Sequence, residues 1–185
     1  MALLESTAPD LGSEAPDFSL PATDGHTYSL DEFDEADVLV VMFICNHCPY
    51  VLAVLDRLLE LGRTWDDDEV AFLAICSNDA ERYPDDSFPK MKEMAEEKDF
   101  PFPYLHDESQ EVAKAYGAVC TPDFFVYDDQ RQLAYAGRLD DNWKHPEEVE
   151  SREMHDAIVA LLNGDKPDSD QAPSMGCSLK WKPSN

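Results

Sequence analysis

Two uninterrupted apolar runs, residues 38–44 and 70–76, contain no charged side chain and are rich in Val, Leu and Phe. That is the pattern of strands buried on both faces of a sheet. Between them, residues 51–61 carry apolar positions at helical spacing and stop at Gly62, which predicts a helix directly after the first strand. Ahead of them, residues 15–20 and 27–30 alternate about Thr23, Asp24 and Gly25, and the Asp-Gly pair predicts a short hairpin. After residue 78 comes a polar, proline-containing loop (79–89), followed by an amphipathic helix over 89–98 and a short strand near Tyr104 and Leu105. A short helix over 109–116 should end at Gly117, and residues 123–127 and 132–138 form a hairpin across Asp128, Asp129 and Gln130. The last helix is expected over 147–162, before Asn163 and Gly164.

Residues 1–13 have no period and are expected to be a polar lead, and the chain shows no internal repeat. The segment 165–185 begins as a Pro-, Ser- and Asp-rich tail, but Leu179 and Trp181 are too apolar for a linker, so its end should dock. The order of elements predicts an α/β domain over residues 14–164, a central mixed β-sheet flanked by helices, with an N-terminal β-hairpin and a C-terminal extension.

Composition narrows the function classes. A chain of 185 residues with 43% hydrophobic positions can bury a core without disulfide staples. Asp and Glu number 40 against 14 Lys and Arg, a formal net charge of -26, which repels nucleic acid and anionic membranes. The acid is spread over residues 66–68, 85–86, 128–129 and 140–141 instead of forming one tail. Strong salt screens such self-repulsion, so a halophilic, high-salt cytoplasm is the expectation. The N-terminal residues lack a basic segment and a long apolar core, and no run reaches membrane-spanning length, which again points to the cytoplasm. Five cysteines, an odd and small number, read as reactive or buried thiols.

Position distinguishes two of them. Cys45 and Cys48 fall where the first buried strand ends and the helix begins, with Asn46 and His47 between them and Pro49 after. Unpaired N–H groups at a helix N-terminus favour thiolate, a nearby imidazolium favours it further, and two cysteines so spaced can close a disulfide. Cys45 is expected to be the more exposed and the nucleophile, with Cys48, inside the first turn, resolving the mixed disulfide; Pro49 suits the first helical positions. Two other readings stay open, half of a zinc site completed from Cys76, Cys120, Cys177 or His106, and an inert buried pair. The second constellation is Val119-Cys120-Thr121-Pro122-Asp123, directly before a strand.

Taken together, the strand running into Cys45, His47, Cys48 and Pro49 and the Thr121-Pro122 step before an antiparallel strand resemble the thioredoxin-like superfamily. The resemblance implies a cis Thr121-Pro122 bond facing the cysteine pair, with the preceding backbone free to pair with an extended thiol substrate. Residues 15–20, Asp24-Gly25 and the extra length over 79–100 look like the peroxiredoxin-like branch, the alkyl hydroperoxide reductase and thiol-specific antioxidant family, over roughly residues 14–162. The chain departs from that branch where Cys48 takes the peroxidatic position. Cys45 stands where a Thr belongs, Val41 where a Pro belongs, and Thr121-Pro122 where a peroxide-binding Arg is expected. What remains is similar to a subgroup with a thioredoxin-type Cys-X-X-Cys.

The resemblance implies an antioxidant thiol–disulfide oxidoreductase that acts through Cys45 and Cys48 on a protein disulfide or a peroxide and needs no bound cofactor. A thioredoxin-reductase-type donor would return the electrons, and dimerisation is open. The alternatives are a thiol-dependent peroxidase and a non-catalytic redox sensor or disulfide-carrying protein, with Cys120 or Cys177 as further redox candidates. Cys177, on the tail, could accept a disulfide from Cys45 or Cys120, or be a packing residue. Cys76 is expected in the core, Arg138, Asp140, Asp141 and Asn142 as surface charge or as groups orienting the tail, and the remaining histidines as ordinary.

Overall fold

A computed structural model describes residues 3–7, 10–65 and 69–183. The acidic run at 66–68 lies outside the described residues. The elements are β1 (Leu3–Glu5), β2 (Ser19–Pro21), β3 (Thr27–Ser29), β4 (Val38–Phe43), α1 (Pro49–Leu61), β5 (Val70–Cys76), α2 (Phe88–Lys98), β6 (Tyr104–His106), α3 (Glu111–Tyr116), β7 (Cys120–Thr121), β8 (Asp123–Tyr127), β9 (Leu133–Gly137), α4 (Glu153–Leu162) and β10 (Met175–Ser178). The five-stranded sheet runs β6-β5-β4-β8-β9, with β4, β5 and β6 parallel and β8 and β9 antiparallel. It is the mixed, helix-flanked sheet of a thioredoxin-like α/β fold.

Strand β4 lies at the centre, and every one of its residues is buried. Alternation along it divides the core. Val38, Val40 and Met42 pack with Val54, Leu55 and Leu58 of α1 and with Met154 and Ile158 of α4. Leu39, Val41 and Phe43 face the opposite way, onto Val112, Ala113 and Tyr116 of α3 and onto Phe18 and Leu20 of the N-terminal hairpin segment. A strand covered on both faces cannot afford polar positions, since each large aliphatic side chain contributes about 1.5–3 kcal/mol by burial.

Three expectations are corrected. The lead is not featureless: β1 pairs antiparallel with β10, which pairs in turn with β7, making a second, three-stranded sheet. Three-residue strands leave almost no periodicity to read, and their partner lies at the far end of the chain. The last helix starts at Glu153; Pro146–Glu148 is one 3-10 turn, after which Val149 takes an extended conformation. Asp140 is buried and paired with Arg57, so it is not surface charge.

Candidate active site

Residues 45–48 make the turn from β4 into α1. Cys48 occupies the N-cap with extended backbone (φ -73, ψ 120), and Pro49 is at the helix start, where a missing N–H costs nothing. All five cysteines are free thiols. Cys45 is 1% exposed and Cys48 0%, so the expected greater exposure of Cys45 is not found. What covers them is the segment before β8. The Thr121-Pro122 bond is cis; the Thr121 hydroxyl lies 3.4 Å from Cys45 Sγ, and the protonated Cys48 thiol donates to the Thr121 carbonyl at 3.1 Å.

The two sulfurs differ electrostatically. The contact with the Cys45 thiol, helped by the Cys177 thiol and by the Val51 and Cys177 N–H groups, outweighs burial and lowers Cys48 below the ordinary thiol range. The helix N-terminus acts in the same direction, although Cys48 makes no formal capping bond. The Thr121 carbonyl favours the protonated form and is the outnumbered contact. Cys45 is held well above the ordinary thiol range because it gives its proton to Cys48, is buried, and faces the negative charge of Asp86. The two thiols titrate as a coupled pair, in which the contacts around Cys48 lower it and those around Cys45 raise it.

Asp86 escapes a reading of the sequence. It is fully buried, yet it accepts from Asn46 N–H at 2.8 Å, His47 N–H at 3.3 Å, His47 Nδ1 at 2.6 Å and Asn78 Nδ2 at 2.7 Å. A carboxylate so placed pins the Cys-X-X-Cys turn and assigns the His47 proton to Nδ1. The ring stacks on Tyr83 at 5.4 Å, and its buried Nε2 has no partner among the described residues. Ligand atoms of Cys45, His47 and Asp86 lie within 4.8 Å of one another, a different set from the zinc ligands the sequence suggested. That makes three donors, where a structural zinc site takes four.

A model of the AhpC/TSA family matches residues 11–136. The chain belongs to the AhpC/TSA family. Among solved structures it is similar to an uncharacterized conserved protein from Geobacillus kaustophilus, with 45% identity over 100% of this chain and 99% of that one and a TM-score of 0.94. A hypothetical protein from Sinorhizobium meliloti 1021 is similar at 38% identity and TM-score 0.93, covering 97% and 99%. The thioredoxin domain of a thiol-disulfide oxidoreductase from Bacteroides vulgatus shares the fold at 18% identity and TM-score 0.58, covering 70% and 89%. No curated protein matches. Family and fold together make this a thioredoxin-like redox protein.

Elsewhere in this AhpC/TSA-family chain, the structure brings Cys177 into contact with Cys48, while Cys120 lies near enough to feel both thiols electrostatically. Cys177 sits on β10 opposite Thr121, and its thiol and N–H both meet Cys48, not the Cys45 or Cys120 partners named above. Cys120 is buried beside Asp123, which together push its thiol far up, and it donates to the Pro122 carbonyl at 3.5 Å. Cys76 is a core residue, pushed up to about 12 by burial. Arg138 reaches Glu153 through Nε at 2.9 Å, while its backbone N–H holds the tail at Ala172 at 3.0 Å. The backbone beside Pro122, expected to be free for substrate, is paired with β10. Among the described residues no helix is long and apolar enough to cross a membrane.

Proposed function

We propose that this protein is a thiol–disulfide oxidoreductase cycling between the Cys45, Cys48 dithiol and its disulfide, with Cys48 as attacking sulfur. The observation that carries the reading is the placement of both sulfurs at the start of α1 against the cis Thr121-Pro122 step, with Cys48 at the helix N-cap and each sulfur in contact with Thr121. Cys48 thiolate attacks a disulfide RSSR, forming Cys48–SR and expelling RS⁻, which takes a proton from solvent. Cys45 then attacks the Cys48 sulfur, closing the intramolecular disulfide and expelling the second RS⁻, which takes the proton Cys45 gives up. A thiol donor, of the thioredoxin-reductase type or smaller, reverses the sequence.

The test is single-turnover oxidation of pre-reduced protein by glutathione disulfide, with mass mapping of the products. Two equivalents of glutathione and a Cys45 to Cys48 link support the reading; a protein that releases no glutathione, or that loses it equally well as Cys48→Ser, contradicts it. A thiol peroxidase is the second reading, favoured by the acidic Cys48 standing at the peroxidatic position. There, peroxide would oxidise Cys48 to a sulfenic acid with loss of water or alcohol, and Cys45 would condense with it, releasing water. Rapid second-order consumption of hydrogen peroxide, lost in Cys48→Ser, would favour that reading over the first.

A further inference from the structure

A protein or peptide disulfide reaches a buried sulfur by laying its chain along a backbone edge beside it, where main-chain hydrogen bonds supply the affinity. Beside Cys48 that edge is Thr121, whose carbonyl is 3.1 Å from Cys48 Sγ. In this molecule the edge is filled. Strand β10 pairs antiparallel with β7, Cys177 opposite Thr121 and Ser178 opposite Cys120, and β1 closes the outer side of β10.

The filling is anchored at both ends. Upstream, the Ser174 hydroxyl donates to Gly137 at 2.6 Å, and the Ser174 carbonyl accepts from Ser6 N–H at 2.8 Å. Downstream, Leu179 N–H bonds Val119 at 2.9 Å, Lys180 N–H bonds Asn78 Oδ1 at 2.8 Å, and the Lys180 carbonyl accepts from Asp79 N–H and Gln110 Nε2. Ser174, Cys177, Leu179 and Lys180 are all buried. Position 176 shows how close the fit is: a Cβ there would stand 2.0 Å from the Thr121 carbonyl oxygen, so only glycine passes. Cys177, the next residue, presents its thiol to Cys48.

We infer that β10 is an internal occupant of the substrate edge, with Cys177 at the place a substrate cysteine would take, and that the site consequently serves low-molecular-weight disulfides and thiols, not protein chains. The inference rests on the oxidoreductase reading and narrows its substrate class; the same exclusion applies to the electron donor, which becomes a small thiol. Affinity for a competing chain is multiplied by the fraction of molecules in which β10 has left the edge. With the anchors above, that fraction is small.

The experiment compares single-turnover oxidation of pre-reduced protein by glutathione disulfide and by insulin, each rate normalised to that of dithiothreitol. The insulin-to-glutathione ratio is expected to be at least about tenfold below that of dithiothreitol, which has no edge to block. Gly176→Val, which forces β10 off Thr121, should raise the ratio several-fold. An insulin ratio equal to that of dithiothreitol in the wild type overturns the inference while leaving the oxidoreductase reading intact, as does a folded Gly176→Val with an unchanged ratio. If Gly176→Val does not fold, the wild-type ratio decides alone. Failure with both disulfides strikes the oxidoreductase reading itself.

Discussion

On the Cys45 side of the sulfur pair, a buried carboxylate, Asp86, gathers two backbone N–H groups, an imidazole and an amide into one knot. On the Cys48 side no charged group among the described residues touches the sulfur; the paired strands β7 and β10 of the three-stranded sheet bring a thiol, a backbone N–H and the Thr121 carbonyl to it. Two cysteines three positions apart thus meet opposite fields, one that penalises thiolate and one that stabilises it. The acidity of each sulfur in a Cys-X-X-Cys motif is set by its surroundings and not by chain order alone.

The comparison breaks most visibly at Asp86. Asp86→Asn keeps shape but turns an amide N–H₂ toward Asn78 Nδ2, or leaves a loop N–H unpaired. An unsatisfied buried group costs about 1–3 kcal/mol, or roughly 2–12 °C in Tm for a chain of this size. Thermal unfolding measures the loss, and thiol titration should show Cys45 moving down as the charge that penalises its thiolate disappears. An Asp86→Asn protein with wild-type Tm and an unmoved Cys45 would remove Asp86 from the account.

A second buried carboxylate sharpens the contrast from the other side. Asp123, at the start of β8 beside β7, is raised from the ordinary carboxylate range to about 6, chiefly by burial. Its folded pKa lies above its unfolded one, so its contribution is most favourable below about pH 4 and is lost as pH rises toward 6. The full difference is about 3 kcal/mol. Between pH 7 and pH 4 the wild type should therefore gain stability relative to Asp123→Asn, read as the pH dependence of the denaturant midpoint difference. A difference that stays flat with pH would contradict the raised Asp123.

A smaller effect tests the acidic surface common to both sides. With a net charge of -26, Tm should climb as KCl is raised to molar concentrations, since screening relieves self-repulsion. A falling Tm would end the high-salt expectation.

The sequence made the centre of the molecule legible because local rules govern it. Residues 38–44 had to be a strand covered on both faces, Gly62 had to end the helix, and Pro49 had to follow its cap. The cysteine pair and the cis Thr121-Pro122 step were found because motif and secondary structure coincide there. Asp86 was invisible for a physical reason: it is one of 40 acidic residues, and only the folded loop converts it from surface charge to a buried acceptor. Strands β1 and β10 were missed because three or four residues carry no period and their pairing spans almost the whole chain. Gly176 has meaning only once Thr121 stands opposite the neighbouring Cys177. Within the pair, the spacing marked both cysteines as candidates, while the contact of Cys177 with Cys48 could not be read without the pairing of β10 and β7.

The measurement that reaches the central claim most directly is the ultraviolet thiolate absorbance of the reduced protein followed against pH, in wild type, Cys45→Ser and Cys48→Ser. The account predicts an acid-side thiolate step in the wild type that survives in Cys45→Ser, whose hydroxyl still donates to Cys48, and is absent from Cys48→Ser. A step that survives in Cys48→Ser and vanishes in Cys45→Ser would contradict it and return the attacking role to Cys45.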